Sequence, residues 1–138
     1  MSHHRFESLC QGLFQCAGVS VPELPEDNVT GSTAVHITLD GVEVVVSHEP
    51  DLAEDHALFA VTFGPLPQGR ELDACKALMR MNVHGLPSRS VFGRNPQTGE
   101  IVLMQMLHQG QATAQDMYQR IAQQVQAAKD WRQHHFLP

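Results

Sequence analysis

Basic residues are scarce in this chain. Lys and Arg number nine in 138 residues, against fifteen Asp and Glu, for a formal net charge of −6. The nine are scattered, with no basic run, which excludes the phosphate-neutralising stripe that a nucleic-acid binder needs. Cysteine is sparse as well. Cys10, Cys16 and Cys75 form an odd set without CxxC spacing, so they read neither as a disulfide framework nor as a zinc site. Each falls in a helical pattern, where a thiol packs as a small apolar group. Long apolar runs are missing: none approaches the ~20 residues of a membrane span. The opening Met1-Ser2-His3-His4-Arg5 leads into no apolar segment of the signal-peptide kind. The expectation is a cytoplasmic protein that engages neither membrane nor nucleic acid.

Catalytic patterns are also absent. There is no GxSxG elbow, and no cysteine carries a family signature. Gly69 and Gly85 are isolated, so no phosphate-cradling loop is present. The nine histidines include no HxxxH or HExxH pair, and His3-His4 and His134-His135 lie at the two ends. His36 falls opposite the valines of its strand. Ser47-His48-Glu49 is contiguous, whereas triads are assembled in space. Asp51, Glu54 and Asp55 read as a solvated acidic loop. The expectation is no enzyme, no metal and no cofactor. A metal-dependent enzyme using His48, His84 or His108 is the least favoured of three readings.

What is present suffices for one core. Hydrophobic residues make up 42% of the chain, and the length suits a single domain over residues 1–138. Phe6, Leu9, Cys10, Leu13 and Phe14 repeat at helical spacing, predicting a helix over 2–17 that stops at Gly18. A polar loop at 22–28 follows. Val35, Ile37 and Leu39 alternate with polar residues up to Asp40-Gly41, after which Val42, Val44 and Val46 alternate again. An Asp-Gly loop of this kind predicts a type I′ hairpin with Leu39 facing Val42, Ile37 facing Val44 and Val35 facing Val46. An acidic loop at 48–55 leads to a third strand at 57–63, with Phe59, Val61 and Phe63 on one face, ended by Gly64-Pro65-Leu66-Pro67. A second helix is predicted at 70–83, a fourth strand at 89–94 and a fifth at 101–107. Thr113 caps a closing helix with Asp116 three residues on. Its apolar stripe is Met117, Ile121, Val125, Ala128 and Trp131. The order is α-β-β-β-α-β-β-α, an α+β fold with a twisted antiparallel sheet packed by helices.

One feature exceeds what a lone fold of this size requires. The second helix is apolar almost all round: Leu72, Ala74, Cys75, Ala77, Leu78, Met79, Met81 and Val83 leave only a narrow polar stripe at Asp73, Lys76 and Arg80. Ile101-Val102-Leu103-Met104 is apolar on both faces of its strand. Met79, Met81, Met104 and Met106 lie on or beside these elements, and methionine adapts to irregular partners. Surplus apolar surface in a short chain points to association, with a second copy as the natural cover.

Five stretches in order resemble the class I type III secretion chaperones, the Tir-chaperone (CesT-like) family. Phe6-Glu7-Ser8-Leu9-Cys10-Gln11-Gly12-Leu13 is similar to the family's FxxLLxxL opening. Phe63-Gly64-Pro65-Leu66-Pro67 is similar to its LGxLP strand end, and Leu78-Met79-Arg80-Met81-Asn82 with Gly85 to its LLxxN…G stretch. Thr98-Gly99-Glu100-Ile101-Val102-Leu103 resembles its TGxLxL turn and strand, and Ala127-Ala128-Lys129-Asp130-Trp131 its closing A…W. The resemblance implies a cytoplasmic homodimer without cofactor or catalysis. It would bind the N-terminal segment of a secreted effector, keep it partly unfolded and deliver it to a type III secretion system, with the secretion ATPase as a further partner. It implies a dimer interface at Leu72, Cys75, Leu78, Met79, Asn82 and Phe92. It implies effector-binding patches at Phe6, Leu9, Leu13, Phe14, Val44 and Val46. The alternative is a small-molecule or peptide-binding module of related α+β fold with no link to secretion.

Overall fold

A computed structural model describes residues 2–20, 32–85 and 90–138, with side chains from Arg5 onward except those of Leu52 and Ala53. The loop expected at 22–28 and the strand start expected at Arg89 lie outside the described residues. Helix α1 (Ser2–Ala17) leads to the strands β1 (Thr33–Leu39) and β2 (Val42–His48). A single turn, α2 (Pro50–Ala53), precedes β3 (His56–Gly64) and α3 (Glu71–Gly85). Strands β4 (Ser90–Arg94) and β5 (Ile101–His108) then lead into α4 (Ala114–His134). The acidic segment expected as loop therefore contains a turn of helix, started by Pro50, whose fixed φ suits a first helical position.

All five strands are antiparallel, in the order β1-β2-β3-β5-β4. The hairpin register is the one expected, with Val35 opposite Val46, Ile37 opposite Val44 and Leu39 opposite Val42. Asp40 and Gly41 take φ values of 52° and 78°, the doubly left-handed pair of a type I′ turn. The Asp40 carboxylate meets Lys129 of α4.

One face of the sheet carries the core. Val35, Ile37, Val44, Val46, Phe59, Val61, Phe63, Leu103 and Leu107 are buried together with Phe6, Leu9, Leu13 and Phe14 of α1. The α4 stripe of Met117, Ile121, Val125, Ala128 and Trp131 completes it. Helix α1 ends in a Schellman turn, Val19 N–H donating to Phe14 O and Gly18 N–H to Gln15 O, with Gly18 at φ 72°. Helix α4 begins with a reciprocal capping box. The Thr113 hydroxyl accepts from Asp116 N–H at 3.1 Å and the Asp116 carboxylate accepts from Thr113 N–H at 3.2 Å. The two helices cross closely at Gly12, where an added Cβ would lie 2.4 Å from the Ala114 Cβ. At the far end Trp131 sits against Phe63, and the Arg132 guanidinium donates to the carbonyls of Phe63 (2.6 Å) and Thr62 (3.0 Å). That anchors the last turn of α4 to the end of β3.

Candidate protein-binding surfaces

Helix α3 has two apolar faces, and the protomer covers one. Ala74, Ala77 and Leu78 are buried, and Leu78 belongs to the core. On the outer side Leu72 and Met79 are each 68% exposed and Val83 66%. With Lys76 these residues repeat at 72, 76, 79 and 83, the four-then-three spacing of a helix seam. Met81 and Val91 of neighbouring β4 are exposed as well.

The second sheet face is also apolar. Strand alternation places Val45, Leu58, Ala60, Val102, Met104 and Met106 opposite the core side, and all six are half-buried. The double-sided apolar reading of β5 is thus resolved into Ile101 and Leu103 inside and Val102 and Met104 outside.

Asn82 links α3 to the edge strand β4. Its Nδ2 donates to Phe92 O at 3.2 Å, and its Oδ1 accepts from Phe92 N–H at 2.6 Å. Both main-chain groups of Phe92 that face away from β5 are thereby engaged. The Phe92 ring packs edge-on against Phe63 and Phe136, with centroids at 5.0 Å and 6.3 Å.

A third feature is a polar cleft of about 910 Å³ between the second half of β5 and α4. Among the described residues the β4–β5 pairing reaches it at Ser90 opposite Gln105. Gln105, Gln111, Gln123 and Gln124 line it with Ser90, Asp116 and Arg120. Asp116, Arg120, Gln123 and Gln124 form the polar stripe of α4. His56 and His108 meet edge-to-face at 5.1 Å on its rim.

The residues expected at the dimer interface divide by their surroundings. Leu72 and Met79 stand on the outer face of α3, Cys75 is half-buried beside them, Asn82 and Phe92 are half-buried with partners in their own protomer, and Leu78 is core. Met81, Val83 and Val91 share the exposed surface and were not in that set.

The expected effector-binding residues are placed otherwise. Phe6, Leu9, Leu13, Phe14, Val44 and Val46 are all buried in the single core that joins α1 to the sheet. The alternating valines and the α1 stripe face each other, so these side chains are occupied within the protomer and offer no surface to a cargo chain.

His48 is buried, its ring stacked on Phe6 at 5.4 Å and its Nε2 2.8 Å from Glu54 O. His84 is exposed on α3. Among the described residues no three His, Cys, Asp or Glu side chains come together as a metal site. Burial, with the Glu7 carboxylate adding to it, pushes the Cys10 thiol up to about 12.

No curated protein matches the chain by sequence. Solved structures do match its fold. A chain of the ExsC–ExsE complex superposes with a TM-score of 0.72 at 19% identity, covering 100% of this chain and 96% of that one. A chain of the HopA1–SchA chaperone–effector complex gives 0.68 at 15% identity, covering 96% and 97%. A chain in the structure of the Yersinia pestis type III secretion chaperone SycH with a fragment of YscM2 gives 0.63 at 16% identity, covering 91% and 98%. The sequence profile of the Tir chaperone protein (CesT) family matches residues 19–132, most of the chain, and the protein belongs to that family.

Proposed function

We propose that this chain is a non-enzymatic, cytoplasmic homodimer that holds the N-terminal segment of a secreted effector in an extended, secretion-competent state. It then presents that segment to the type III secretion apparatus, with the secretion ATPase as the receiving partner. Effector-binding chaperone activity in type III secretion is the function of its family, and the neighbouring folds include chaperone–effector complexes. The observation that carries the dimer is the α3 seam. Leu72, Met79 and Val83 expose two-thirds of their surface in one protomer, and a second copy related by a twofold axis covers each seam with its equivalent. The interface is proposed at Leu72, Cys75, Met79, Met81, Val83 and Val91, with Leu78, Asn82 and Phe92 supporting it from beneath.

The cargo segment loses conformational entropy on binding, so it must cover a large surface to be held. The half-buried sheet face from Val45 to Met106 supplies apolar area on each protomer, and a dimer doubles it and raises effective concentration. The test is co-expression with the N-terminal region of an effector encoded beside this gene, followed by light scattering and amide NMR of the complex. A dimer carrying an effector segment without a folded core is expected. A monomer that forms no complex would overturn the reading.

A further inference from the structure

We propose that the Asp40–Gly41 peptide is a modification site, at which the aspartate isomerises to isoaspartate, and that Lys129 of α4 slows the change by holding the hairpin tip closed. Asp40 is the one Asp or Asn in the sequence that precedes glycine. That pair is chemically vulnerable, because glycine has no side chain to shield its nitrogen from the neighbouring carboxyl carbon. Both residues are exposed at the tip between β1 and β2. An added Cβ at Gly41 would meet nothing within 4 Å. Among the described residues no main-chain hydrogen bond occupies the Gly41 N–H. The reaction needs only water. The Gly41 nitrogen attacks Cγ of Asp40, a C–N bond forms, and the acid's hydroxyl leaves with the amide proton as water, closing a succinimide. Water then adds to the ring. Where it cleaves the bond from the nitrogen to the Asp40 main-chain carbon, the chain runs on through Cγ and a free α-carboxylate results.

The closed turn forbids that attack. Asp40 holds φ 52°, and in the left-handed conformation the following nitrogen stands nearly opposite Cβ about the Cα–C bond. Ring closure needs the two side by side, so the reaction waits on opening of the tip. Two contacts oppose opening: the last pair of the β1–β2 ladder, Leu39 with Val42, and the ion pair of the Asp40 carboxylate with Lys129. The second ties the reacting group itself to another element. It is an exposed pair, with the Asp40 side chain 68% accessible, so its hold is modest. Isoaspartate adds one atom to the main chain, and a two-residue type I′ loop has no room for it. The tip cannot close again as before, and the carboxylate that met Lys129 has moved. The change is one-way and marks chains whose hairpin has opened. It holds whether or not the chain is a chaperone.

The experiment ages the full chain in neutral buffer below its melting temperature. Peptide mapping reads isoaspartate at Asp40, with enzymatic methyl transfer to the new α-carboxylate as a second readout. Wild type, Lys129→Ala and Lys129→Arg are compared folded, and wild type also in urea. An exposed ion pair changes the open population by about twofold to fivefold, and Lys129→Ala should accumulate isoaspartate faster by that factor. Lys129→Arg, which keeps the charge, should age as wild type does. Urea should give the highest rate, because the tip is already open. Equal rates in folded wild type and Lys129→Ala would overturn the proposal, as would a Lys129→Arg chain that ages as fast as Lys129→Ala. A folded wild type that ages as fast as the unfolded chain would refute protection by the turn. Absence of isoaspartate in urea would remove the site altogether.

Discussion

Truncation of the α3 seam is the most direct perturbation of the proposed assembly. The double variant Leu72→Ala, Met79→Ala removes two side chains that are each 68% exposed in the protomer, so the isolated fold loses almost nothing. Full burial of a leucine or methionine is worth about 1.5–3 kcal/mol. Two-thirds of that area is at stake and alanine retains part of it, which leaves about 1 kcal/mol per side chain. A symmetric dimer covers four such side chains, for about 4 kcal/mol in all. At about 1.4 kcal/mol per factor of ten, the dissociation constant rises nearly a thousandfold. Sedimentation velocity over a dilution series reads this directly, with circular dichroism reporting the helix content of each species. Wild type stays dimeric where the variant has dissociated, and its melting temperature depends on concentration as linkage requires. A wild-type chain that is monomeric throughout, or a variant that associates as tightly as wild type, refutes the reasoning.

Four further outcomes follow from the described geometry. Gly12→Ala sets a methyl against Ala114 and should cost about 1–3 kcal/mol; thermal melts should show the loss, and adding Ala114→Gly should restore most of it. Asn82→Ala releases both main-chain groups of Phe92, at about 1–3 kcal/mol, and hydrogen exchange at the Phe92 amide should accelerate. Iodoacetamide at about pH 8 should alkylate exposed Cys16 while sparing Cys10 until the chain unfolds, because burial holds the Cys10 thiol protonated; mass spectrometry of the labelled peptides settles it. Burial and neighbouring His134 lower the pKa of His135 below its ordinary 6.5. Below 6.5 the unfolded chain therefore takes up the proton more readily, and stability falls as the medium acidifies. His135→Asn, which suits the left-handed backbone at that position, should flatten the acid decline in melting temperature.

The hairpin was legible because alternation and the Asp-Gly loop specify register together: slipping Val35, Ile37 and Leu39 by one would turn all three to the wrong face. The α3 surplus was legible for a related reason. A helix that packs on one side needs one apolar stripe, and residues 72–83 carry more. What covers the α1 stripe was not legible. The spacing of Phe6, Leu9 and Leu13 locates a face without saying what covers it, and here the cover is the chain's own sheet. The turn at Pro50 escaped because four residues have no period to detect. The cleft escaped because its lining comes from strand, loop and helix segments that meet only in the fold. A signal existed in the eight glutamines between 105 and 126, but glutamine has no place in an apolar pattern.

Asn82 bears on more than the attachment of one helix. A five-stranded sheet has two margins, and each is a template on which foreign or like strands can grow. With Phe92 already engaged from the side, the β4 margin is blunted, and β1 is the margin that among the described residues has no strand on its far side. A sheet that can grow in one direction accepts a single guest strand or pairs once with its like, and then stops. Stacking into filaments needs both directions, and Asn82 closes one of them at Phe92.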